Sequence, residues 1–178
     1  MPDIAVPTRI GILGAGKLGT VLARLAVAAG YEVLIAGSGD PKYIALTVDV
    51  FARGAVASTA SEAIEGADLV ILAIPLYRVD SLPVDALSGH IVIDATNHWV
   101  AVDGPLPEFT AAPGGTSTVV ASKLAGARIV KASAMSATTI STSMRGTGVV
   151  SHLASPRMTC KRPTSWPGSS NGSGSSPC

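Results

Sequence analysis

Six residues near the N-terminus, Gly14-Ala15-Gly16-Lys17-Leu18-Gly19, have the types and the spacing needed to hold a pair of phosphates. In a G-x-G-x-x-G turn each glycine answers a separate steric demand. The first permits a tight turn out of a strand, the second lets a pyrophosphate approach the backbone, and the third lets the next helix pack against the sheet. The N–H groups at the start of that helix, around Lys17 and Leu18, then face the anion, aided by the helix dipole. This is the chemistry of holding a dinucleotide, and it breaks no bond. The pattern alone is weak in alanine-rich sequence. Here it stands between an apolar run, Thr8–Leu13, and an amphipathic stretch, Leu18–Ala29, the context a βαβ dinucleotide site requires.

The end of the second strand decides between the two nicotinamide cofactors. An NAD site places Asp or Glu there for the ribose 2′-hydroxyl, whereas this chain offers Ala36-Gly37-Ser38-Gly39-Asp40-Pro41-Lys42. Ser38 can hydrogen-bond a 2′-phosphate and Lys42 can supply positive charge, so NADP(H) is the expected cofactor. Asp40 is the residue that would favour NAD(H) if the turn shifted by one position. Two further stretches fall where open α/β sheets bind ligands. Ala73-Ile74-Pro75 follows the fourth strand and is expected along the cofactor ribose. Asn97 follows the fifth and is expected at the nicotinamide amide, with His98 and Trp99 beyond it as pocket lining or surface loop. Arg78 reads as a solvated helix residue near the cleft. No Ser–His–Asp set, metal-ligand cluster or Walker-type loop is present, and no side chain is assigned as catalytic or as a metal ligand.

These residues need a scaffold, and hydrophobic periodicity supplies one. Strands are expected at Thr8–Leu13, Glu32–Ala36, Ala55–Ser58, Asp68–Ala73, Ile91–Asp94 and Ala127–Lys131. Helices are expected at Leu18–Ala29, from Pro41 through Phe51, at Ser61–Glu65 and at Thr116–Leu124. Strands separated by helices predict an α/β, Rossmann-type doubly wound and mainly parallel sheet, in the order 3-2-1-4-5-6.

The chain has 178 residues and a formal charge of +1, but the charge is uneven. Residues 1–132 carry nine Lys/Arg against twelve Asp/Glu, and residues 133–178 carry four Lys/Arg and no acid. Neither part has the basic face of a nucleic-acid binder. The N-terminus lacks a basic region ahead of its apolar run, and no stretch has the length of a membrane span, so neither secretion nor a membrane partner is expected. Both cysteines, Cys160 and Cys178, lie past residue 132. A cytoplasmic protein is expected, with a small-molecule cofactor and substrate as partners and a homodimer as an option. Residues 1–132 are expected to form the NAD(P)-binding Rossmann domain. The last 46 residues are rich in Ser, Thr, Pro and Gly and hold no sustained period, so they read as a disordered tail.

The run Ile10-Gly11-Ile12-Leu13-Gly14-Ala15-Gly16-Lys17-Leu18-Gly19, followed by Ala36-Gly37-Ser38, Ala73-Ile74-Pro75 and Val92-Ile93-Asp94-Ala95-Thr96-Asn97, resembles the coenzyme F420-dependent NADP oxidoreductase family. The resemblance covers about residues 8–132. It implies an NADPH-binding Rossmann domain, with coenzyme F420 as co-substrate and hydride exchange with its deazaflavin over the nicotinamide. The cofactors would carry that reaction while the protein orients them. Family members usually have an arginine after the serine matching Ser38, where this chain has Gly39. Two other readings stand beside this one: a non-catalytic NAD(P)-binding or sensing module, and a truncated, inactive reductase.

The resemblance also bears on the tail, because its strand six is commonly followed by a segment such as F-N-H-x-G-Y-H-D. When each codon's third base is joined to the first two bases of the next, the codons from Ser133 onward permit S-H-V-G-Y-H-D. In the same register Met158 through Ser173 permit D-D-V-Q-A-A-D-I-V-A-G-L-V-E-R-L, with acids first and apolar residues at helical spacing. A single-base deletion near codon 133 is therefore expected. It would leave Cys160, Trp166 and Cys178 without an evolved role.

Overall fold

The computed structural model describes residues 7–132. Six strands form one sheet: β1 (Arg9–Leu13), β2 (Glu32–Ala36), β3 (Val56–Ser58), β4 (Leu69–Leu72), β5 (Ile91–Asp94) and β6 (Arg128–Lys131). Their order is β3-β2-β1-β4-β5-β6 and every pairing is parallel, the doubly wound arrangement expected from the alternating periodicity. β1 and β4 lie at its centre, and four residues of each are buried. Strands covered on both faces need apolar side chains in both directions, which is why Ile10–Leu13 and Leu69–Leu72 read as unbroken apolar runs.

Helices pack on both faces. On one, α1 (Lys17–Ala28) and α2 (Lys42–Phe51) set Ala23 and Val48 against Ile10, Ile12, Val33, Ile35, Leu69 and Ile71. On the other face lie α3 (Ala60–Glu65), a 3-10 helix (Leu76–Ser81), α4 (Val84–Leu87), α6 (Pro107–Thr110) and α7 (Thr116–Lys123), with α5 (Val100–Asp103) in the connection after β5. Their Ile64, Leu76, Leu87, Phe109 and Val120 close over Val70, Leu72 and Val92. The six strands and the helices at α1, α2, α3 and α7 fall within two residues of their expected bounds.

The helix expected at Arg78 is the 3-10 helix, whereas α4, α5 and α6 have no counterpart in the sequence-based expectation for a physical reason. Four residues make little more than one turn, too few for a 3.6-residue period to declare itself. The expected tail, residues 133–178, and its alternative register lie outside the described residues.

Candidate functional site

The carboxyl ends of β1, β2, β4 and β5 share one edge of the sheet, and backbone hydrogen bonds tie them together. Gly14 N donates to Ala36 O and Ala73 N to Leu13 O, both at 2.8 Å, and Ala95 N donates to Leu72 O at 3.1 Å. A cleft of about 620 Å3 opens at this edge over the end of β1. Gly14, Ala15 and Gly16 form its floor, Gly37, Ser38 and Gly39 after β2 form one wall, and Ala73, Ile74 and Pro75 after β4 form the other. Tyr77, Arg78 and Ser81 of the 3-10 helix, with Leu82 and Pro83, extend that second wall.

The three glycines of the turn differ in their surroundings as their spacing requires. Gly14 has φ +119°, a conformation L side chains rarely adopt, and a Cβ there would run into the Ala73 carbonyl. A Cβ on Gly19 would overlap the Gly14 carbonyl oxygen, so helix α1 sits against the turn at a distance only glycine permits. Gly16 is different: a Cβ built on it meets nothing within 4 Å. No packing demands glycine at that position, and a side chain there would project into open space above the turn. Gly16 is also the N-cap of α1 and offers no side-chain acceptor. The first-turn N–H groups of a helix lack intrahelical partners, and here no acid stands among them to compete for the site. The turn therefore fits a diphosphate: an open floor, unpartnered N–H groups and the positive end of a twelve-residue helix.

Of the residues singled out from sequence, Gly14, Ala15, Gly16, Ser38, Ala73, Ile74 and Pro75 meet in the cleft. Lys17, Leu18 and Gly19 continue into α1 behind the turn, where they supply backbone rather than lining. Lys42 lies outside the lining. Its ammonium pairs with Asp40 at 2.8 Å and sits 5.1 Å from the centre of the Tyr43 ring. Asp40 is equally engaged: it accepts from Lys42 N at 3.0 Å. The Lys42 ammonium, then this backbone bond, hold its carboxyl below the usual range.

Asn97 is exposed on the connection after β5 and is not part of the lining. That connection is anchored from beneath. Asp94, fully buried at the end of β5, accepts from Thr96 N at 2.9 Å, Thr96 Oγ1 at 2.6 Å and Ser117 Oγ at 3.1 Å. Lys131 pairs with it at 3.2 Å and also donates to the Thr96 carbonyl. Asp103 then joins the two loops, accepting from Leu76 N at 2.9 Å and from Trp99 N at 2.8 Å. The His98 ring is spent on the backbone, with Nε2 3.0 Å from Gly104 O. The Asp94 and Asp103 clusters were not anticipated, since each joins segments more than twenty residues apart. Tyr77 and Ser81 also escaped notice, and only the run of residues after Pro75 could have suggested them.

A family model described as coenzyme F420-dependent NADP oxidoreductase matches residues 9–98, from β1 to the connection after β5. No curated protein matches the chain. Among solved structures, a hypothetical protein from Sinorhizobium meliloti is 29% identical, with a TM-score of 0.59, over 75% of this chain and 65% of that one. A candidate F420-dependent NADP reductase from an Arthrobacter species is 20% identical, with a TM-score of 0.56, over 70% of this chain and 61% of that one, a likeness of fold. The chain thus spans less than two thirds of the length of either. No helix among the described residues is long and apolar enough to cross a membrane. With its match extending across half of the sequence and through every strand end that borders the cleft, this chain belongs to the coenzyme F420-dependent NADP oxidoreductase family.

Proposed function

We propose that the chain binds NADP(H) in the cleft over β1 and serves hydride exchange between NADPH and a deazaflavin of the F420 type. The observation that carries this reading is Gly16, a helix N-cap whose missing side chain answers to no packing contact and leaves the floor of the cleft open. A phosphate pair would rest there on the N–H groups of α1. Ser38 at the end of β2 would donate to the 2′-phosphate, and Ala73-Ile74-Pro75 would border the ribose. Asn97, on the connection that Asp94 and Lys131 anchor, would orient the nicotinamide amide. Bound NADPH supplies the hydride, so no acid or base is asked of the protein. What the chain contributes is placement of the nicotinamide at the end of β5.

We also propose that residues 1–132 are the working domain and that residues 133–178 were read out of frame, supported by the loss of sustained periodicity after Ala132. That favours a second reading, a nucleotide-binding module without turnover. Two measurements separate the possibilities. Titration by nucleotide fluorescence should show NADPH bound more tightly than NADH, and binding of neither would end both readings. Oxidation of NADPH in the presence of F420, followed by deazaflavin absorbance, should then proceed. Tight NADPH binding with no absorbance change would select the module.

A further inference from the structure

We infer that Arg78, on the 3-10 helix after β4, is the residue that makes the cleft selective for the 2′-phosphorylated cofactor. This rests on the NADP(H) reading above and goes beyond it by naming the cation. The end of β2 presents only a hydroxyl, Ser38, flanked by Gly37 and Gly39. A phosphate dianion held by one hydroxyl is poorly compensated, and selective phosphate sites ordinarily add a guanidinium or an ammonium. Lys42 is the nearest cation in sequence, but it already has a counter-charge and does not line the cleft. Asp40 neutralises it at 2.8 Å, its side chain is 66% exposed, and it stands outside the cleft.

Arg78 has the opposite character. It is the one charged residue among those lining the cleft. It is half-buried, and its guanidinium makes no ion pair or hydrogen bond among the described residues. Its backbone, by contrast, is fixed, with Arg78 N donating to Pro75 O at 3.0 Å and Arg78 O accepting from Ser81 Oγ at 2.7 Å. Withdrawing a guanidinium partly from water without a counter-charge is unfavourable, and an anion arriving in the cleft relieves it. The turn at Gly14–Gly19 already serves the pyrophosphate through backbone groups. The second anion of an NADP-type cofactor is the 2′-phosphate, and the strand order places β2 and β4 on either side of β1. Ser38 and Arg78 therefore stand on facing walls of one cleft, a hydroxyl on one side and a guanidinium on the other.

The test is a titration of the full chain, as wild type, Arg78→Gln, Arg78→Lys and Lys42→Gln, with NADPH, NADH and 2′,5′-ADP. Arg78→Gln should weaken NADPH and 2′,5′-ADP by about tenfold or more and leave NADH within about twofold. Arg78→Lys should recover part of the loss, which also guards against a folding defect in the glutamine variant. Lys42→Gln should change NADPH binding by less than about twofold. Equal losses for NADPH and NADH would place Arg78 on the pyrophosphate or the adenine and overturn the inference, as would a selective loss in Lys42→Gln. A wild type that binds NADH and NADPH equally also overturns it while leaving nucleotide binding intact. A wild type that binds no nucleotide removes the reading beneath it instead.

Discussion

Gly16 and Gly19 are three residues apart in one motif, and substitution should affect them in opposite ways. The Gly16 backbone is extended, at φ −83° and ψ −167°, so an L side chain fits it without strain, and its Cβ would meet nothing. Gly16→Val should therefore cost at most about 1 kcal/mol of stability and yet obstruct the floor of the cleft, weakening NADPH at least about tenfold. Gly19→Ala forces a methyl onto the Gly14 carbonyl, and overpacking of this kind costs about 1–3 kcal/mol or more. Thermal melts set beside nucleotide titrations distinguish the two. A Gly16→Val protein that melts as low as Gly19→Ala, or that still binds NADPH normally, would remove the steric account. These roles were legible in sequence because each follows from the absence of a side chain at a fixed spacing. The role inferred for Arg78 was not. Its helix beside the cleft was expected, but as a solvated surface, and its role depends on lining the cleft and on Lys42 being paired elsewhere.

At the scale of elements, two exposed carboxylates tie segments together and should make the fold sensitive to acid. Glu62 closes a capping box at the start of α3: Thr59 N donates to it at 2.8 Å while Glu62 N donates to Thr59 Oγ1. Asp68, just before β4, accepts from Thr8 N at 2.7 Å and Arg9 N at 2.9 Å, joining the starts of β1 and β4. Backbone N–H groups hold both carboxyls below their usual values, from Thr59 on Glu62 and from Arg9, then Thr8, on Asp68. Because the folded values lie below the unfolded ones, about 4, the stability these groups contribute is complete above that pH. It is lost as pH falls through the depressed folded values. Wild type should melt at a nearly constant temperature between about pH 7 and 5 and at lower temperatures below about pH 4. Asp68→Asn should lower the melting temperature at neutral pH, with the gap to wild type narrowing as the solution is acidified. A gap as wide at pH 3 as at pH 7 would rule this out. The capping box is spelled in the sequence as Thr-x-x-Glu ahead of Ala63-Ile64, a pattern sufficient to have placed the α3 start at Ala60 rather than Ser61. The Asp68 bridge has no such signature, since its partners are some sixty positions away.

Across the whole sheet, burial changes along single rows of paired residues. Ile12, Ile71, Ile93 and Val130 are consecutive partners from β1 through β4 and β5 to β6, and they share a face. Ile12 is 0% exposed and Ile71 9%, Ile93 is half-buried, and Val130 is 53% exposed. The adjacent row repeats the trend, from Ile10 at 6% through Leu69 at 8% to Ile91 at 36%. Helices α1 and α2 cover the beginning of each row, and among the described residues no helix covers its end. Parallel sheets ordinarily have both faces covered, and a patch such as Ile91, Ile93 and Val130 binds apolar probes when left bare. A base lost near codon 133 would account for it. The register permitting D-D-V-Q-A-A-D-I-V-A-G-L-V-E-R-L has apolar residues at helical spacing to lay on such a face, while the present frame has none. The 178-residue chain should therefore enhance the fluorescence of an apolar dye, Val130→Lys should reduce it without lowering the melting temperature, and a chain with the base restored should reduce it further. Resequencing the gene should reveal the missing base. An intact frame would mean that residues 133–178 belong to the protein as they stand, and dye binding that neither change diminishes would mean that the Ile91, Ile93 and Val130 face is not what the dye reads.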